Sequence, residues 1–205
     1  MHKENILIRG KELQDAEKAL IMIHGRGASA EDILSITGYL NVKDYTLLAP
    51  QATNHTWYPQ SFLAPPAQNE PWLSSALELI AKTVDRVVAA GIASENIRFL
   101  GFSQGACLML EFIARHAMKY GGAVAFTGGL IGDRLYKENY RGDFNGMPVF
   151  LGSSNPDFHV PVQRVHDTTG ILKRMGADVT EKIYDNMGHT IIQEEINLAN
   201  QLVFS

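Results

Sequence analysis

The pentapeptide Gly101-Phe102-Ser103-Gln104-Gly105 is the segment of this chain best suited to do chemistry. An apolar run, Ile97–Phe102, leads into it as a strand, and Gln104–Met118 leads out with helical spacing. A serine at a strand–turn–helix junction of this kind sits in a strained backbone conformation with its hydroxyl exposed, the arrangement known as a nucleophile elbow. Glycines two residues to either side remove Cβ atoms that would collide where strand and helix come close. A helix starting at Gln104 also turns free N–H groups and a positive dipole end toward charge developing beside Ser103. The competing reading is a serine in an ordinary tight turn.

A serine hydroxyl is a weak nucleophile until a base takes its proton, so an imidazole and an orienting carboxylate are required. His189 follows the expected strand Val179–Tyr184 within Asn186-Met187-Gly188-His189 and precedes the last helix. Asp157 follows the expected strand Pro148–Gly152 in a segment running from Ser154 to Pro161. Both loops would open on the sheet edge that carries Ser103. Asp157 could instead be a turn aspartate before a helix, and His189 a helix-capping or surface histidine. Asp185 competes for the acid role, and Asp133 and Asp143 are weaker rivals.

An oxyanion formed on a carbonyl needs preorganised backbone N–H donors. The loop His24-Gly25-Arg26-Gly27-Ala28-Ser29 can turn its amides inward, so the oxyanion hole is assigned to the N–H groups of Arg26 and Gln104. A glycine-rich loop in this place could cradle a phosphate, but the third glycine of G-x-G-x-x-G is missing and no Walker-type lysine motif occurs. His24 reads as a loop-ordering residue, and His159 as a loop histidine neighbouring Asp157. His2, His55, His116 and His166 read as surface or partly buried. Cys107, one helical turn after Ser103, is expected to pack against the sheet rather than act as a nucleophile.

These residues need a scaffold that brings them to one rim. Short apolar strands alternate with longer amphipathic segments, the pattern of an α/β domain on a mostly parallel sheet with helices on both faces. Strands are expected at Ile6–Arg9, Ala19–His24, Tyr45–Ala49, Ile97–Phe102, Gly122–Thr127, Pro148–Gly152 and Val179–Tyr184. Helices are expected at Leu73–Ala90, Gln104–Met118, Val162–Met175 and about Thr190 to Leu202. The segment Ala52–Trp72 breaks the alternation, carrying Trp57, Tyr58, Phe62 and Trp72 among four prolines. A long connection without regular structure is often functional. This one would form a wall or lid over a pocket, or, more plainly, a surface loop whose aromatics patch the core.

Composition narrows the classes. The chain has 205 residues, 45% hydrophobic and 20% charged, enough for one domain with a sizeable core. Its net charge of −4 and lack of basic clusters argue against nucleic acid. One cysteine excludes an internal disulfide, and neither CxxC nor HExxH spacing occurs, so no metal site is expected. The longest apolar runs, Ala19–Ile23 and Val87–Ala93, are too short to span a membrane. Met1–Asn5 leads straight into a strand without signal-peptide character, so a cytoplasmic location is expected. An apolar edge strand could pair two copies into a homodimer.

Together, His24-Gly25-x-Gly27, Ala49-Pro50-Gln51, Trp57-Tyr58-Pro59, Gly101–Gly105, Asp157-x-x-Val160-Pro161 and Gly188-His189 resemble the small α/β-hydrolase family of bacterial carboxylesterases and phospholipases. That family also contains the acyl-protein thioesterases. The resemblance implies a single α/β-hydrolase domain over residues 1–205 without a large cap and a Ser103–Asp157–His189 triad. It also implies cleavage of small-molecule esters or thioesters without a cofactor, and Trp57 and Tyr58 beside the substrate. Two features depart from the acyl-protein thioesterases: Arg26 stands where they usually carry an apolar residue, and Pro71-Trp72 is not their pattern. A small aromatic or polar ester is therefore expected, with Arg26 free to meet an anionic group. Lactone (dienelactone-type) hydrolases and peptidases share such triads. A non-catalytic scaffold would need no complete set of nucleophile, base, acid and amide loop.

Overall fold

In the computed structural model, which describes residues 1–205, seven strands form one sheet in the order β1-β3-β2-β4-β5-β6-β7. They are β1 (Ile6–Gly10), β2 (Lys18–Ile23), β3 (Tyr45–Pro50), β4 (Ile97–Phe102), β5 (Gly122–Phe126), β6 (Pro148–Asn155) and β7 (Asp178–Asp185). Only β1 runs antiparallel, against β3; every other pairing is parallel. The central strands β2 to β5 are buried almost throughout, as apolar strands covered on both faces must be.

One face is covered by α2 (Trp72–Ala89), α3 (Gln104–Arg115) and α4 (Val162–Arg174), packed on Ile21, Phe99, Ala123 and Leu151. The other carries α1 (Ala30–Ser35) and α5 (Gln193–Leu202), packed on Leu20, Leu100, Phe126 and Phe150. In α2 the expected stripe points inward: Leu73, Leu77, Ile80 and Val87 are buried and Val84 is half-buried. Gly91, at φ 94°, then turns the chain away.

Four elements differ from expectation. Helix α1 is not among the expected helices; Ser29 and Asp32 form a capping box across its first turn. Helix α3 stops at Arg115 rather than Met118, because Arg141 crosses its end: Arg141 N donates to Ala114 O at 3.2 Å and Ala117 N donates to Arg141 O at 3.1 Å. Helix α5 starts at Gln193, since Ile192 is extended and its N–H goes to the Glu195 carboxylate. The Ala52–Trp72 segment is not featureless but contains 3₁₀ turns at Thr53–His55 and Pro66–Asn69.

Strands β6 and β7 also run longer than expected, staying paired up to Asn155 and Asp185. The loops bearing Asp157 and His189 therefore leave the sheet side by side, on the same edge as the end of β4, from which β5 separates them. No helix is long and apolar enough to cross a membrane.

Candidate active site

Ser103 occupies the turn between β4 and α3 with φ 54° and ψ −120°, a conformation that costs a non-glycine residue roughly 1–3 kcal/mol. The surroundings impose it: Ser103 N donates to Phe126 O at 3.0 Å, and Ser103 O accepts from Cys107 N at 3.0 Å. Both flanking glycines are required, though against different neighbours. A Cβ at Gly101 would sit 2.7 Å from the backbone of Ala106, at the start of α3. A Cβ at Gly105 would overlap the carbonyls of Ile23 and His24, at the end of β2.

The structure brings Ser103, His189 and Asp157 together. His189 Nε2 lies 2.8 Å from Ser103 Oγ, and Nδ1 lies 2.8 Å from Asp157 Oδ2. A carboxylate only accepts, so Nδ1 carries the proton and Nε2 offers a lone pair to the serine hydroxyl. The Asp157 side chain is fully buried, while that of His189 is 24% exposed, open to a substrate. Burial alone would raise the Asp157 pKa. Hydrogen bonds from His189 and from the N–H groups of Val160 and His159 outweigh it and hold the carboxyl below its ordinary value. The His189 ring packs on Phe102 and meets His159 edge-on, with centroids at 5.3 and 4.9 Å. Asp185, Asp133 and Asp143 are all exposed, the last two bonded within their own turns.

Sequence reasoning missed Ser154. Buried at the end of β6, its Oγ donates to Pro156 O at 3.1 Å and accepts from Gly188 N at 3.0 Å. One hydroxyl thus ties the loop of Asp157 to the loop of His189. Nothing in the sequence marks it beyond its place at a strand end.

The backbone N–H groups of Arg26 and Gln104 have no hydrogen-bond partner, and both residues line the cavity that holds Ser103. That cavity, of about 310 Å³, is lined by Tyr58, Phe62, Phe102, Val160 and Cys107 among others. Burial pushes the Cys107 thiol up to about 12, so it stays protonated and unreactive. His24 is buried, with Nδ1 2.8 Å from Gly25 O and Nε2 accepting from Ala52 N at 3.1 Å, which orders both loops.

One expectation needs correction. Tyr58 reaches the cavity, but Trp57 does not: it is fully buried behind the wall, its indole N–H donating to His24 O at 2.8 Å. A large aromatic in a proline-rich loop serves the loop's own core here. The Arg26 guanidinium donates to the carbonyls of Tyr58, Pro59 and Gln60 at 2.8 to 3.1 Å, which engages three of its five N–H donors. Of the remaining histidines, His2 is half-buried between Trp57 and Trp72, whereas His55, His116 and His166 are exposed. No group of three or more potential metal ligands occurs.

Comparison with known proteins agrees with this geometry. Residues 6–203 match the phospholipase/carboxylesterase family. Acyl-protein thioesterase 1 of Saccharomyces cerevisiae is 27% identical over 220 aligned residues, covering 90% of this chain and 91% of that protein. A probable carboxylesterase of Oryza sativa is 29% identical over 67% of this chain, which spans only 58% of that relative. Among solved structures, a phospholipase/carboxylesterase from Dyadobacter fermentans superposes over the whole chain and 98% of its own, with TM-score 0.99 and 49% identity. Arabidopsis thaliana SOBER1, at 19% identity and TM-score 0.77 over 92% of this chain and 98% of its own, shares the fold. The fold is that of the α/β hydrolases, and the chain belongs to the phospholipase/carboxylesterase family, a family of ester and thioester hydrolases.

Proposed function

We propose that this protein hydrolyses short-chain carboxylic esters through an acyl-enzyme on Ser103. The observation that carries the reading is the unbroken relay from Ser103 Oγ through both nitrogens of His189 to Asp157, each link 2.8 Å long. His189 takes the proton as Ser103 attacks the carbonyl carbon, and Asp157 holds the tautomer and stabilises the imidazolium. The free N–H groups of Arg26 and Gln104 receive the oxyanion. His189 then protonates the leaving alcohol or thiol, and water releases the acid by the same steps in reverse. The chain's own residues supply every proton transfer.

Chain length follows from the cavity. About 310 Å³ lies at the small end for ligand pockets, and Tyr58, Phe62 and Cys107 are among the side chains that line it beside the serine. A p-nitrophenyl ester series from acetate to palmitate tests this: kcat/KM should peak at acyl chains of about two to six carbons. A peak at the longest chains would refute the short-chain assignment. Ser103→Ala should abolish turnover of every member of the series.

A further inference from the structure

The Arg26 N–H belongs to the peptide whose carbonyl, Gly25 O, accepts from His24 Nδ1 at 2.8 Å and from Ala28 N at 3.2 Å. Gly25 and Gly27 flank it, with Gly27 at φ 79°, and the residue is exposed. Those bonds set the plane of the peptide within its turn, but a turn flanked by two glycines pivots at little cost, so its placement against Ser103 depends on what anchors it to the rest of the fold. The hydrogen bonds that Arg26 and Gly27 make outside the turn all go to one short stretch. The Arg26 guanidinium donates to the carbonyls of Tyr58, Pro59 and Gln60, and Gly27 N donates to His55 O at 2.7 Å.

The second amide is tied to the same stretch. The Gln104 side chain donates through Nε2 to Tyr58 O at 2.9 Å. Its Oε1 accepts from Trp57 N at 2.9 Å and from the Thr56 hydroxyl at 3.3 Å. Tyr58 O therefore accepts from Arg26 and Gln104 at once. The two residues whose backbone N–H groups stand free are those whose side chains grip one shared carbonyl.

We propose that the side chains of Arg26 and Gln104 are positioning residues for the oxyanion site, working as a pair through Tyr58 O. His55–Gln60 is then a baseplate that fixes the spacing of the two amides, whose planes are set by the bonds to Gly25 O and Ser103 O, and not a lid. The inference rests on the acyl-enzyme reading above. It assigns these side chains to the transition state rather than to substrate recognition, because an amide that drifts off the oxyanion loses charge stabilisation without changing ground-state contacts.

The test compares wild type with Arg26→Met, Gln104→Met, the double variant and Arg26→Lys. Readouts are kcat and KM on p-nitrophenyl acetate and the inhibition constant of a boronic acid that mimics the tetrahedral adduct. Each Met variant should lower kcat by about 10- to 100-fold, below the loss for deleting a donor outright, with KM changed less than threefold. Boronate affinity should fall in parallel with kcat. The double variant should lose clearly less than the product of the singles, since both act through one carbonyl. Arg26→Lys, which keeps the charge but replaces the planar fork with a single ammonium, should fall between, and it remains informative if a Met variant does not fold. Raised KM with kcat and boronate affinity intact would overturn the proposal, as would multiplicative losses in the double variant. If Ser103→Ala kept wild-type turnover, the acyl-enzyme reading itself would fail, an outcome separable from either of these.

Discussion

The elbow around Ser103 and the baseplate around Tyr58 hold the same cavity in opposite ways. At the elbow, backbone fits against backbone: Gly101 and Gly105 stand where a Cβ would meet Ala106, Ile23 and His24, and neighbouring main chain imposes the positive φ of Ser103. At the baseplate, side chains from distant loops reach main-chain carbonyls and amides: Arg26 and Gln104 onto Tyr58, and Trp57 back onto His24. A backbone fit tolerates no added atom and leaves a short, local motif. A side-chain fit can be made by many residue types and leaves almost none.

The triad joins the two regions, and the largest expected effect lies there. Asp157→Asn should lower kcat by on the order of 10³- to 10⁴-fold by favouring the wrong His189 tautomer, whereas Asp185→Asn should change it less than twofold. Steady-state kinetics of both variants decides between the two acids. Next comes the elbow's backbone fit. Gly105→Ala forces a Cβ against the carbonyls ending β2 and should cost about 3 kcal/mol or more, read from urea unfolding midpoints. If it is tolerated within 1 kcal/mol or so, the contrast between the two regions is lost.

Glu195 gives a third prediction of somewhat smaller size. It is fully buried against Gly152, one carboxylate oxygen accepting from Ile192 N and the other unpartnered, with Glu194 and Tyr184 nearby. Burial raises its pKa from 4.5 to about 7. The folded state therefore holds this proton more tightly than the unfolded chain does. Its contribution to stability is fully present below pH 4.5 and declines as pH rises to about 7, by roughly 3 kcal/mol in all. Glu195→Gln should flatten that decline in unfolding midpoints followed against pH. Asp157, with its lowered pKa, acts with the opposite sign at the acid end: its contribution is present above the ordinary aspartate value and is lost as pH falls through the folded value.

The smallest effect belongs to Ser154. Ser154→Ala leaves Gly188 N–H without its acceptor and loosens the tie between the Asp157 and His189 loops. It should lower kcat about tenfold with KM nearly unchanged. Equal changes in kcat and KM would leave Ser154 a merely structural residue.

What could be read from the sequence follows the same division. The Gly101–Gly105 motif, the strand-end loops of Asp157 and His189, and the apolar stripe of α2 each carry their signal within a few residues. The capping box at Ser29 and Asp32 was equally local and could have revealed α1. The antiparallel direction of β1 has no local signature, because pairing partners are chosen across the fold. The burial of Trp57 and the capture of Arg26 by three carbonyls depend on where the 55–60 stretch lies against the glycine-rich loop, which neither segment encodes alone. Ser154 was invisible for the same reason, since its two partners belong to different loops.

Mass spectrometry after reaction with a fluorophosphonate tests the central claim most directly. A single adduct on Ser103, absent from Ser103→Ala and formed much more slowly in His189→Ala, is the predicted result. Modification at another residue, or full esterase turnover by Ser103→Ala, would contradict it.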